Sequence, residues 1–162
     1  MAAKAYITIL GRSSWALINT YYGVLRERGY YPDEIHIFTE KMYKSKLPDI
    51  ISALKIISEG FSFSPEFSTY SVTDVDFYQA GKKIQKLVKS LKSREAVIAI
   101  DITPGRRALI AAALIPAMKM DIDHIYYLAI SNTDDAAKPY MMIPIKYQKV
   151  YCFMDAARGI EK

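Results

Sequence analysis

An α/β fold, with a mainly parallel central sheet and helices on both faces, is what this sequence predicts, and three observations carry it. Short apolar runs alternate with longer segments whose apolar residues recur at helical spacing. The apolar run Ala96 to Ile100 leads through the polar, basic turn Asp101-Ile102-Thr103-Pro104-Gly105-Arg106-Arg107 straight into a second apolar segment, the pattern of a strand that restarts as a helix. A chain of 162 residues that is 51% hydrophobic and 24% charged is long enough to bury one continuous core, so a single domain over residues 1–162 is expected.

The first strand is expected over Ala5 to Leu10, followed by the turn Gly11-Arg12-Ser13-Ser14 and a helix from Trp15 to Arg28 that Gly29 stops. Pro32-Asp33 turns the chain into strand two, Glu34 to Thr39. Pro48 at a first turn, with Ile50, Ile51, Leu54 and Ile57 at helical spacing, predicts a helix over Leu47 to Glu59 ended by Gly60. Phe67 to Val72 reads as strand three. Thr73 or Asp74 caps a helix over Val75 to Leu91, whose inner face is Phe77, Ala80, Ile84, Leu87, Val88 and Leu91. Strand four, Ala96 to Ile100, precedes a helix ending near Met120. His124 to Ile130 is strand five, Ser131 to Lys138 a polar loop, and Tyr140 to Ile145 with Lys149 to Phe153 a terminal hairpin-like pair, with Pro139 and Pro144 restricting its pairing.

The composition bounds the function. No stretch approaches the roughly 20 apolar residues that span a bilayer, and the N-terminus enters a strand too soon for a secretory signal, so no membrane partner is expected. Cys152 is the single cysteine, which rules out an intrachain disulfide and a cysteine metal site and makes a reducing cytoplasm the expected compartment. A net charge of +5 suggests an anionic partner. Lys82, Lys83, Lys86, Lys89 and Lys92 share one helix, where a solvated face is the ordinary reading and contact with nucleic acid the sharper one. The thirteen tyrosines, Tyr126-Tyr127 among them, have core or interface packing as their ordinary reading and base stacking as the alternative.

In parallel α/β sheets ligands sit beyond the carboxyl ends of the strands, at the switch point of the winding. The residues there form a coherent set: Gly11, Arg12, Ser13 and Ser14 after strand one, Thr39, Glu40 and Lys41 after strand two, Asp101, Thr103, Gly105, Arg106 and Arg107 after strand four, and Ser131, Asn132 and Thr133 after strand five. Hydroxyls, glycines that admit close backbone approach and cationic side chains on one rim suit phosphates, because unpaired N–H groups and the dipole at a helix start also favour an anion. Each residue has an ordinary account as well. Ser13 or Ser14 is a natural N-cap, Thr103-Pro104 a natural helix start, and Asp101 an acceptor for the turn's backbone. Those accounts leave Arg106 and Arg107 over, since basic residues in a first turn oppose the dipole unless an anion offsets them.

Other chemistries do not fit. His36 and His124 lie within expected strands, away from any paired metal-ligand spacing, so neither a metal centre nor a Ser-His-Asp triad is expected. Nothing matches a Walker loop, and Gly11-Arg12-Ser13-Ser14 lacks the glycine series of a dinucleotide fingerprint. No cofactor is expected.

Three segments, Ile9 to Ala16, Asp33 to Thr39 and Asp101 to Arg107, together resemble the CRISPR-associated Rossmann-fold (CARF) domain family over essentially the whole chain. The first is similar to the family's Gly-x-Ser turn, the second to its acidic-aliphatic strand ending in threonine, the third to its Asp-x-Thr-x-Gly-(Arg/Lys) motif, with Pro104-Gly105 where many relatives carry two small residues. The resemblance implies a Rossmann-like three-layer sandwich and a homodimer that binds a cyclic oligoadenylate, most commonly cyclic tetra-adenylate, across its two-fold axis. With the chain ending at Lys162 and no HEPN ribonuclease pattern, the resemblance points to a stand-alone ring nuclease of type III CRISPR signalling. It implies metal-free cleavage by the ribose 2′-hydroxyl to linear di-adenylates with 2′,3′-cyclic phosphate ends. Ser13 would orient the reacting group, Lys146 or Lys138 would meet transition-state charge, and the rim residues would hold phosphates. Stable binding of duplex nucleic acid is not expected. The alternatives are a non-catalytic sensor acting through a separate partner and a nucleic-acid-binding regulator.

Overall fold

A computed structural model describes residues 1–73 and 76–160. Six strands form one sheet in the order β3-β2-β1-β4-β5-β6, where β1 is Lys4–Leu10, β2 Glu34–Glu40, β3 Glu66–Val72, β4 Val97–Asp101, β5 His124–Ile130 and β6 Gln148–Cys152. All neighbours pair in parallel except β6, which runs antiparallel to β5. The order reverses between β1 and β4, so the doubly wound sheet has its switch point there, as in a Rossmann-like fold.

Side chains on the two faces of this sheet build two cores. Tyr6, Leu10, Ile35, Ile37, Tyr126 and Leu128 pack under α1 (Ser14–Arg28) and α2 (Leu47–Gly60). Ile7, Ile9, Phe38, Ile98 and Ile100 pack under α3 (Phe77–Ser93) and α4 (Arg107–Met118). Consecutive residues of β1 alternate between these cores, as the period of two requires. The result is a three-layer sandwich built on the mainly parallel sheet that the alternating pattern predicts.

Helix ends follow local chemistry. The Ser13 hydroxyl caps α1 by accepting the Ala16 N–H at 3.1 Å, and Gly29 ends it with φ 60°, its N–H bonded to the Leu25 carbonyl. Gly60 lies inside α2, and the left-handed residue beyond it is Ser62 at φ 65°, so the chain turns one step later than a glycine stop suggests. The expected start of α3 at Val75 and the Asp74 cap fall outside the described residues. The cap observed is Asp76, whose carboxylate accepts the Gln79 N–H at 3.0 Å, and Thr73 takes no part in it. Ala96 precedes β4, α4 stops at Met118, and Lys41–Lys46 forms a 3-10 segment between β2 and α2.

The hairpin-like pair is corrected. Tyr140–Met142 and Ile145–Tyr147 are 3-10 turns, each entered from a proline, and β6 takes β5 as its partner instead. Pro139 and Pro144 hold φ at −56° and lack an N–H, which breaks a ladder and starts a turn. Phe153 then opens a short helix, α5 (Phe153–Ala157).

Helix α1 anchors this segment. Buried Asn19 donates through Nδ2 to the Lys138 carbonyl at 2.8 Å and accepts the Tyr140 N–H at 2.9 Å. Arg28 donates to the Val150 carbonyl at 2.8 Å, and the Glu27 carboxylate accepts the Val150 N–H at 3.2 Å. Replacing Asn19→Ala leaves two backbone groups without their partner, each unsatisfied group costing about 1–3 kcal/mol. The expected outcome is a urea midpoint lowered by that order; an unchanged midpoint would show that the amide does not hold the segment.

Candidate anion site at the sheet crossover

At the switch point the turns after β1 and β4 touch backbone to backbone. A Cβ added to Gly11 would stand 2.8 Å from both the Cα and the N of Gly105, which is too close for any side chain. Gly105 itself has φ +100°, a left-handed conformation that disfavours other residues, and a Cβ there would lie 2.8 Å from Ile9 Cγ2. Gly11 is therefore required by its contact with the Gly105 backbone, and Gly105 by its left-handed φ and by Ile9; the contact fuses the two motifs into a single rim.

Beneath the rim lies Asp101, fully buried. Its Oδ1 accepts the Thr103 N–H at 2.9 Å and its Oδ2 accepts the Thr8 hydroxyl at 3.0 Å, so it ties the turn to β1. Burial pushes this carboxyl up to about 7, against the hydrogen bonds from Thr103 and Thr8, which favour the ionised form. Thr103 does not cap α4. Its Oγ1 accepts the Leu128 N–H at 2.9 Å and fastens the turn to β5.

The residue at the N-cap position of α4 is Arg106, which makes no capping bond. Its Nε lies 3.2 Å from Oε2 of Glu40, a carboxylate buried at the end of β2, and its Nη2 lies 3.1 Å from Met42 Sδ. This pair answers the question raised by basic residues in a first turn, since part of the offsetting negative charge is internal. The Arg106 side chain nevertheless stays 42% exposed, and Arg107 beside it is exposed.

Arg12 and Ser13 are exposed on the facing turn and Ser14 is half-buried. The Arg12 carbonyl accepts Lys46 Nζ at 2.7 Å, which brings a further ammonium to this turn. The Ser13 oxygen is used as the α1 cap, while its hydroxyl proton remains available to donate. Thr39, expected on the rim, is buried and donates to the Glu40 carbonyl at 3.2 Å. Thr39 and Asp101 thus lie below the surface that Arg12, Ser13, Arg106 and Arg107 present.

Three further expected residues sit on the β5–β6 side. Lys138 pairs with Asp135 at 2.5 Å. Ser131 is exposed, and its N–H and hydroxyl both donate to the Tyr147 carbonyl, at 2.9 and 3.3 Å. Lys146 is exposed, with Nζ 4.7 Å from the centre of the Tyr147 ring. Glu40 is expected on the rim from its place after strand two, while its pairing with Arg106, and the parts played by Met42 and Lys46, carry no local sequence signal, because each acts on a turn distant in the chain.

The histidines lie off this rim. His36 pairs with Tyr70 and Glu34, and burial lowers its pKa; His124 lies at the opposite end of β5. Among the described residues no cluster of His, Cys, Asp or Glu has a metal-binding arrangement, and no helix is long and apolar enough to cross a membrane. On α3, Lys82, Lys83, Lys86 and Lys89 are exposed, while Lys92 pairs with Asp123 at 2.9 Å.

No protein-family model matches the chain, and no curated protein matches it in sequence. Solved structures do match in fold. Csm6 from Enterococcus italicus, bound to cyclic hexa-2′-fluoro-hexa-dAMP, aligns with a TM-score of 0.64 at 14% identity over 98% of this chain and 43% of its own. Can2 from Sulfobacillus thermosulfidooxidans, in complex with cyclic tetra-adenylate, aligns with a TM-score of 0.58 at 14% identity over 82% and 33%. A type III CRISPR defence DNA nuclease activated by cyclic oligoadenylate aligns with a TM-score of 0.58 at 12% identity over 81% and 19%. The chain shares their fold. It spans less than half the length of each.

The buried carboxyl gives a test of the rim's foundation. Unfolded, Asp101 ionises near its ordinary value of 3.8; folded, near about 7, so in between the folded chain holds a proton that the unfolded chain has lost. Its stabilising contribution is complete below the lower value and is lost as pH rises through the upper one. The stability difference between Asp101→Asn and the unaltered chain should therefore move in the variant's favour from about pH 4 to 7, by a few kcal/mol in order of magnitude. Urea midpoints measured across that range check this, and parallel curves would contradict it.

Proposed function

We propose that this chain is a CARF domain that binds a cyclic oligoadenylate, with cyclic tetra-adenylate as the ring, across a homodimer and cleaves it without a metal. The reading rests above all on the contact of Gly11 with Gly105, which joins a hydroxyl-bearing turn and a doubly basic turn at the sheet's switch point. Three proteins of the same fold are described as bound to, or activated by, cyclic nucleotide rings, which supports this choice among phosphate-bearing ligands.

A homodimer would set two copies of Arg12, Arg106 and Arg107 around one ring. The outer side of α4 supports the pairing: Ala108, Ala111, Ile115 and Met118 are exposed and recur at the spacing of a helix-packing seam, on a helix whose one charge is Arg107. In the cleavage step a ribose 2′-hydroxyl attacks its neighbouring phosphate and loses its proton, the 5′-oxygen leaves and takes up a proton to become a 5′-hydroxyl, and a 2′,3′-cyclic phosphate forms. The protein's share is alignment and charge stabilisation. Ser13 would donate to the reacting phosphate or ribose, the arginines would hold the phosphates, and Lys146 or Lys138 would meet the developing charge. Products would be linear di-adenylates, and the consequence would be to end type III CRISPR signalling.

Two observations favour a second reading, a sensor that binds without cutting. The Ser13 oxygen is engaged as a helix cap and Lys138 is paired with Asp135, which leaves fewer groups free for chemistry. Incubation with cyclic tetra-adenylate in EDTA, followed by chromatography, separates the readings. Linear product is the expected result; intact bound ring supports the sensor, and no binding overturns the family reading. Ser13→Ala and Lys146→Ala should each lower turnover by ~100-fold or more while affecting binding less. Full turnover in both would remove their assigned roles.

A further inference from the structure

Helices α3 and α4 leave part of the sheet uncovered. Among the described residues their core takes Ile125 from β5 and none from β6. Beyond it, the cross-strand partners Tyr127 and Tyr151 and the next pair, Ala129 and Lys149, stand on the same open face. The opposite face of these strands, with Tyr126, Leu128, Val150 and Cys152, is buried.

A cleft of about 400 Å³ runs along this face, lined by Tyr127, Ser131, Lys146, Tyr147, Lys149 and Tyr151 among others. Among the described residues it is lined by two lysines and no carboxylate. Each lysine accompanies a ring: Lys146 Nζ lies 4.7 Å from the centre of Tyr147 and Lys149 Nζ 5.1 Å from the centre of Tyr151. Tyr127 and Tyr151 remain 39% and 42% exposed, outside both cores. Phe153, 49% exposed, continues the row with its ring 6.3 Å from that of Tyr127.

We infer that this β5–β6 face binds single-stranded nucleic acid, its bases stacking on Tyr127, Tyr147 and Tyr151 and its phosphates meeting Lys146 and Lys149. Flat aromatic faces alternating with cations match the repeat of an unpaired strand, in which each base carries a phosphate. The cleft's charge selects a polyanion, and its rings select one with unstacked bases. A paired duplex offers phosphates but keeps its bases out of reach. The surface lies off the crossover turns, shares Lys146 and Ser131 with the proposed ring site, and does not require that the turns bind a ring.

The probe is a 5′-fluorescein-labelled twelve-nucleotide oligoadenylate RNA, titrated with the full chain and followed by anisotropy. Tyr151→Ala should weaken binding roughly 5- to 150-fold, the range of one lost base stack, and Tyr151→Phe should restore it. Lys149→Ala should make the logarithmic salt dependence shallower by about 0.7, the value for one phosphate contact on a single strand, which a folding defect would not do selectively. Arg106→Ala should leave this binding intact while weakening cyclic tetra-adenylate, so the two sites fail separately. The inference is overturned if the unaltered chain does not bind the probe, if it binds a duplex of that sequence equally well, or if Tyr151→Ala keeps full affinity. It is overturned too if Tyr151→Ala abolishes dimer formation in sedimentation without changing affinity, since the face would then belong to a second copy.

Discussion

The approach of Gly11 to Gly105 governs the site. In a doubly wound sheet the strands on either side of the switch point send their following helices to opposite faces, and the turns between must diverge. Here they touch before they diverge. With no Cβ at Gly11, the β4–α4 turn settles onto the β1–α1 turn, and the left-handed Gly105 aims the chain so that Arg106 reaches back over β2 to Glu40. Three strand ends, β1, β4 and β2, are thereby tied through one contact and one ion pair, and Thr103 adds β5 through the Leu128 N–H.

The electrostatics follow from that geometry. Two carboxyl groups, Asp101 and Glu40, lie buried under a rim whose surface charges are cationic. Asp101 is pushed towards its neutral form by burial, so it holds the turn without cancelling the rim's charge over the lower part of the physiological range. Glu40 orients one guanidinium edge of Arg106 and leaves the side chain partly exposed. The dipole of α4 adds to the positive end. An anionic ligand would therefore meet one guanidinium, that of Arg106, already oriented, which lowers the entropic cost of binding.

The sheet and its helices are legible in the sequence because their signals are local: apolar runs, helical periodicity, Ser13 as a cap and Gly29 as a stop. The misread elements are those decided at a distance. Tyr140 to Ile145 has the composition of a strand, yet Pro139 and Pro144 turn it and Asn19, remote in sequence, holds it down. The rim residues were nameable from their place after strands, but their burial was not. Thr39 and Asp101 sit below the surface because neighbouring strands cover them, and the Arg106–Glu40 pair spans two motifs that no spacing rule connects. The open β5–β6 face was equally hidden, since Tyr126 and Tyr127 look alike in sequence and only the extent of the α3–α4 layer distinguishes them.

In the proposed function the fused turns form half of a ligand site that a second copy of the chain completes. The most direct measure of that arrangement is the stoichiometry of cyclic tetra-adenylate binding by isothermal titration calorimetry, at protein concentrations well above the dissociation constant and under conditions that prevent turnover. The account predicts one ring for every two chains. One ring per chain, or no binding heat at all, would contradict it.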